Sequence, residues 1–115
     1  MSADLSALTV GEFLHTLRQV VAEKGANYVY PDSEKRHGAC RYRVNGEPSC
    51  LIGHALDRLG HVVPPSLEEQ SASHVLGEFG APEPVRRVAR HAQAAQDRGR
   101  PWGEVLSAAE RAVAA

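Results

Sequence analysis

Cys40-Arg-Tyr-Arg-Val-Asn-Gly-Glu-Pro-Ser-Cys50-Leu-Ile-Gly-His54-Ala-Leu-Asp-Arg-Leu-Gly60 decides how the chain is read. Cys40, Tyr42 and Val44 alternate with Arg41 and Arg43, which gives a strand with one apolar and one basic face. Asn45-Gly46 is a tight-turn signal, but Pro48 lacks the N–H a ladder needs, so the turn is expected to feed the next helix directly. Ser49 is the expected N-cap of that helix. Leu51, Ile52, Ala55, Leu56 and Leu59 form its apolar stripe and Gly60 its stop. Gly53 costs a helix about 1 kcal/mol relative to alanine. A close contact, with the hairpin, is the expected reason for it.

Working outward, Asn27-Tyr-Val-Tyr30 favours strand and is the expected antiparallel partner of Cys40–Val44. Upstream of it, Thr9-Val-Gly-Glu12 is a capping box, followed at helical spacing by Phe13, Leu14, Leu17, Val20 and Val21, with Gly25 as the stop. Residues 1–8 read as a frayed start. Downstream, Ser66 and Glu69 suggest a second capping box for a helix carrying Leu67, Val75, Leu76 and Phe79 inward to Gly80. Pro82 and Pro84 open a fourth helix with Val85, Val88, Ala89, Ala92 and Ala95 inward, closed at Gly99. Pro101 opens a fifth, with Trp102, Val105, Leu106, Ala109 and Val113 inward. The expected fold is mainly α: one compact domain over 1–115, with five helices around one short antiparallel hairpin.

At 115 residues the chain suits a single domain that folds without a disulfide or metal staple. Its net charge of −1 argues against general affinity for nucleic acid or anionic membrane. No apolar run is long enough to cross a bilayer, and Met-Ser-Ala-Asp-Leu-Ser has no leader character, so a cytoplasmic setting with reduced thiols is expected.

Three constellations can carry chemistry. His37, Cys40, Cys50 and His54 supply two thiols and two imidazoles, the donor set of a tetrahedral zinc site, although the His-Cys-Cys-His order is not that of a familiar finger. The bland alternative is two core cysteines, a zinc-free protein and two unrelated histidines. Cys50, at a helix N-terminus with His54 one turn on, has the makings of an activated thiol, but no oxyanion site or cleft is visible beside it. Arg86, Arg87, Arg90 and His91 form a stripe on the fourth helix that can meet phosphates, against interspersed acids that make a solvated helix face the simpler reading. Phosphate-binding loops, paired catalytic carboxylates and Ser/His/Asp arrangements are absent from the sequence. The expectation is therefore a non-enzymatic module that binds another protein, with Tyr28, Tyr30, Arg41 and Arg43 as candidate contacts beside the Arg86, Arg87 and Arg90 stripe.

Tyr28-Val-Tyr30, Cys40-x-Tyr42, Gly46-x-Pro-Ser-Cys-Leu-Ile-Gly53 and Ala55-Leu-x-x-Leu-Gly60 together resemble small proteins of actinobacteria and their phages for which no activity is established. Ala95-Gln-x-x-Gly99 and Pro101-Trp-Gly103 continue the resemblance. It implies an intracellular accessory protein, with a mobile-element origin among the options, and brings no cofactor or catalytic residue. His54 does not belong to the shared pattern, where a basic residue often stands, which weakens both the zinc and the Cys/His readings.

Overall fold

The computed structural model describes residues 4–31, 35 and 41–114. Five α-helices and one two-stranded antiparallel hairpin make up the described regular structure, apart from one short 3₁₀ turn. They are α1 (Val10–Lys24), β1 (Arg43–Val44), β2 (Glu47–Pro48), α2 (Leu51–Arg58), α3 (Ala72–Glu78), α4 (Glu83–Asp97) and α5 (Trp102–Ala114), with the 3₁₀ turn at Pro65–Leu67. α4 and α5 pack most extensively on each other; α1 lies against α2 and α5, and α3 against α4. The core gathers Phe13 and Leu17 of α1, Leu51, Ile52 and Leu56 of α2, Leu76 of α3, Val85 of α4, and Trp102 and Val105 of α5.

α1 starts as expected. Thr9 Oγ1 accepts the Glu12 N–H at 3.1 Å while Glu12 Oε1 accepts the Thr9 N–H at 2.9 Å. α2, α3 and α4 each end on a glycine with positive φ, at Gly60, Gly80 and Gly99. In all three the next residue's N–H reaches back to the carbonyl five residues earlier, as His61 does to Leu56 at 2.9 Å. This is the Schellman arrangement, which satisfies carbonyls a helix end would otherwise orphan.

The hairpin differs from expectation. Asn45 and Gly46 have φ of 53° and 81°, so both turn residues are left-handed, as a two-residue hairpin loop of matching twist requires. β1 pairs with β2, Val44 opposite Glu47 and Arg43 opposite Pro48. One step on, Ser49 N–H donates to the Tyr42 carbonyl at 2.8 Å. Antiparallel pairs alternate between bonded and non-bonded, so Pro48 occupies a non-bonded position and its missing N–H removes no ladder bond. Pro48 was therefore no barrier to a second strand.

Tyr28–Tyr30 is not the partner strand. Its stretch instead caps α5: the Tyr28 carbonyl accepts the Trp102 N–H at 2.7 Å and the Ala26 carbonyl accepts the Gly103 N–H at 2.8 Å. Four smaller expectations are also corrected. Residues 4–8 are not a loose start, because Leu5 is buried and its N–H donates to the Phe79 carbonyl at 2.8 Å. Ser71, not Ser66, caps α3, its Oγ accepting the His74 N–H at 3.2 Å. Val113 lies outward, 49% exposed, while its neighbour Ala112 is buried. The N-cap position of α2 falls to Cys50, without a side-chain cap bond.

The hydroxyl expected to cap α2 is engaged elsewhere: Ser49 Oγ and Tyr30 Oη lie 2.6 Å apart in a buried hydrogen bond. The first amide of α2 is satisfied from 45 residues away, where Gln96 Oε1 of α4 accepts the Leu51 N–H at 3.0 Å. Gln96→Leu removes that acceptor and leaves the amide buried and unpaired. It also removes the buried Nε2, which has no partner among the described residues, so the net cost in a urea melt is expected to be about 1 kcal/mol.

Candidate functional site

α2 places Cys50 and His54 one turn apart, but in different surroundings. Cys50 is fully buried beneath the hairpin, its N–H donating to the Arg41 carbonyl at 2.9 Å. Its side chain is covered from solvent in this arrangement. The His54 ring stands edge-on to Trp102, centroids 5.9 Å apart. Burial pulls its pKa down, with Lys24 and Arg58 adding to the effect. Neutral imidazole is thereby favoured. Of the proposed zinc set, His37 and Cys40 lie outside the described residues. Among the described residues no three His, Cys, Asp or Glu side chains gather as a metal site.

The lowered pKa of His54 has a consequence for stability. The unfolded value is near 6.5 and the folded value lies below it, so the unfolded chain takes up the proton first as pH falls. The contribution is complete above about pH 6.5 and is lost in the window beneath that value. His54→Gln removes this titration. Urea midpoints taken on either side of that window should fall less on acidification in the variant than in the parent chain.

Tyr42 forms the centre of a polar lattice that holds the hairpin down. It is fully buried; its Oη donates to the Gln70 carbonyl at 2.6 Å and accepts from Gln93 Nε2 at 2.9 Å. Gln93 Oε1 in turn accepts the Ala72 N–H at 2.7 Å. Glu68 Oε1 accepts the N–H groups of Tyr42 and Arg43. Glu68 reads from the sequence, with Glu69 and Glu78, as a cap or surface carboxylate, whereas it holds the hairpin amides; Gln93 and Gln96 carry no site expectation. The signal for the glutamines was there, since Gln93 and Gln96 follow Ala89 and Ala92 by four residues on the apolar side of α4, where a polar side chain implies a partner.

The basic stripe on α4 is only partly paired, with one acid against the three arginines. Glu83 pairs with Arg86 at 3.1 Å and Arg90 at 3.0 Å. The Arg90 hydrogen bond is the main reason its carboxyl is held below the usual range. Arg90 also donates to Ser73 Oγ at 3.1 Å. Arg87 is exposed. A phosphate would have to compete with Glu83 for two of the three guanidinium groups.

Among the candidate contacts, Tyr30 is buried, its Oη accepting the Arg41 N–H at 3.1 Å, so it serves the interior rather than a surface. Tyr28 is half-covered, edge-on to Trp102 at 4.6 Å, with Lys24 Nζ 5.3 Å from its ring centroid. Arg41 is half-buried behind the hairpin. Arg43 reaches across it to Asp57 at 3.0 Å and to the Gly46 carbonyl.

Arg43 also lines a groove of about 420 Å³, which no reading of the sequence had picked out. Val62, Val63, Pro64 and Pro65 form its apolar side, and Gly46 and Glu68 complete it. The groove exists because Gly60 turns the chain out of α2 and the two prolines then hold it extended, with φ −73° and ψ 156° at Pro64. Pro64 and Pro65 carry no N–H, so they add no backbone donor to this wall. Val62 is 60% exposed, the most open large apolar side chain among the described residues. Comparison with family models, curated proteins and solved structures finds no match to the chain.

Proposed function

We propose that the chain is a non-enzymatic accessory module that binds another protein at the groove between the hairpin tip and the Val62–Pro65 wall. The observation that carries the reading is the exposure of Val62 on a stiff apolar wall beside a hairpin fixed by Tyr42 and Glu68. A preformed apolar groove loses little conformational entropy when a partner docks. The chemistry-bearing centre of the chain points the same way: Cys50, Tyr30 and Tyr42 are buried, the two tyrosines holding loops in place. The resemblance to small actinobacterial and phage proteins extends the proposal to an accessory role inside the cell.

A photo-crosslinking residue at position 62, compared with one at position 113 on the far end of α5, tests it. Adducts specific to position 62 identify the partner, whose affinity is then measured with the purified chain. Val62→Asp should weaken that binding about 10-fold or more, as loss of a central apolar contact does. Val113→Asp should leave it unchanged. Both sites are exposed, so both variants should keep parental stability within about 0.5 kcal/mol. Equal adducts at the two positions, or full affinity in Val62→Asp, would overturn the reading.

A further inference from the structure

We infer that the groove receives a lysine side chain of the partner protein, its stem against Val62–Pro65 and its ammonium at Glu68. This rests on the groove being the protein-binding site. The charge at the groove supports it. Arg43 is already committed to Asp57 at 3.0 Å and to the Gly46 carbonyl, and its side chain is only 17% exposed. That pair cancels. Glu68 is different: Oε1 accepts two backbone N–H groups, and Oε2 has no hydrogen-bond partner among the described residues. Its negative charge has no ion-pair partner among them either. An apolar wall with one fixed, unneutralised carboxylate selects a long alkyl stem that ends in a cation.

The same geometry separates lysine from arginine. A guanidinium gains most from a carboxylate when it forks onto both oxygens. Here Oε1 already serves the Tyr42 and Arg43 amides. One oxygen remains, which suits an ammonium point charge better than a fork. The two amide bonds also hold the carboxylate in place before any ligand arrives, so binding does not have to order it.

The test is an amide-resolved NMR titration of the full chain with three blocked amino acids: Nα-acetyl-lysine amide, the arginine analogue and the norleucine analogue. Lysine should give saturable shifts at Gly46, Val62, Val63 and Glu68, with affinity about 3-fold or more above norleucine, the scale of one exposed ion pair. Arginine should bind more weakly than lysine. Glu68→Gln retains an Oε1 acceptor for both amides, so the hairpin signals, Tyr42 included, should stay in place. Lysine's advantage over norleucine should vanish in that variant.

Equal affinity for norleucine and lysine, or an advantage that survives Glu68→Gln, would overturn the lysine assignment. So would the absence of saturable shifts with lysine. None of these results touches the groove itself as the docking site, which the position-62 crosslinks and Val62→Asp decide separately.

Discussion

Gly53→Ala should destabilise the protein by about 3 kcal/mol, although alanine is the better helix former by about 1 kcal/mol. A Cβ at position 53 would stand 2.1 Å from the Tyr42 carbonyl oxygen, 2.8 Å from its carbon and 3.0 Å from its Cα. These are backbone atoms and cannot rotate away. Nor can Tyr42 shift as a unit: its carbonyl accepts the Ser49 N–H, its N–H is held by Glu68, and its hydroxyl is held by Gln70 and Gln93. Relieving the overlap means lifting the hairpin from α2 and breaking part of that lattice. In thermal melts the loss should appear as a fall in Tm of roughly 10–20 °C for a chain this size. Gly77→Ala is the control of opposite sign. It too adds a methyl to a helical glycine, but there the new Cβ meets only the Arg86 side chain, Cδ at 3.5 Å and Nη1 at 3.8 Å, both ordinary contacts. That variant should gain up to about 1 kcal/mol. A Gly53→Ala protein as stable as its parent would mean that the hairpin is not seated on α2 as described.

The need for a close contact at Gly53 was visible before any coordinates, because a glycine inside a short apolar helix demands a reason. The same holds for Thr9 with Glu12 and for the glycines that end the helices. These are local signals, and local hydrogen bonding delivers what they promise. The errors have a common physical source, competition from distant groups. Ser49 is a good N-cap by residue type, but Tyr30 takes its hydroxyl and Gln96 reaches in from α4 to serve Leu51. Ser66 and Glu69 have the spacing of a capping box. Yet Glu68 is drawn to the hairpin amides and the Gln70 carbonyl to Tyr42, so only one 3₁₀ turn forms there and the helix waits for Ser71. Tyr28–Tyr30 has strand-forming composition, but the first α5 amide claims the Tyr28 carbonyl and the next claims that of Ala26. The groove was invisible for a related reason: Arg43 is far in sequence from Val62 and Glu68, and only the path through Gly60 and the two prolines brings them together.

Trp102→Ala is the second substitution expected to have a large effect, at about 3–5 kcal/mol. The indole is fully buried and meets two rings edge-on, Tyr28 at 4.6 Å and His54 at 5.9 Å. It therefore joins the loop that caps α5 to α2. Alanine keeps the backbone bond from residue 102 to the Tyr28 carbonyl, so the loss reports the side chain alone. Trp102→Phe separates volume from polarity. The indole Nε1 is buried with no hydrogen-bond partner among the described residues, so phenylalanine removes an uncompensated donor as well as part of the ring. Those effects oppose each other, and the net cost should be about 1 kcal/mol or less. His54 gives an independent readout, since burial is the main cause of its lowered pKa. Opening the space beside it in Trp102→Ala should move the imidazole pKa back toward its ordinary value, read from its ring protons by NMR, with Lys24 and Arg58 still holding it somewhat low. Trp102→Phe should leave that titration nearly in place. If both variants lose the same stability, the unpartnered N–H is not a liability and the full indole volume is what the core requires. If the His54 titration does not move in Trp102→Ala, its lowered pKa comes from the two cations rather than from the indole that covers it.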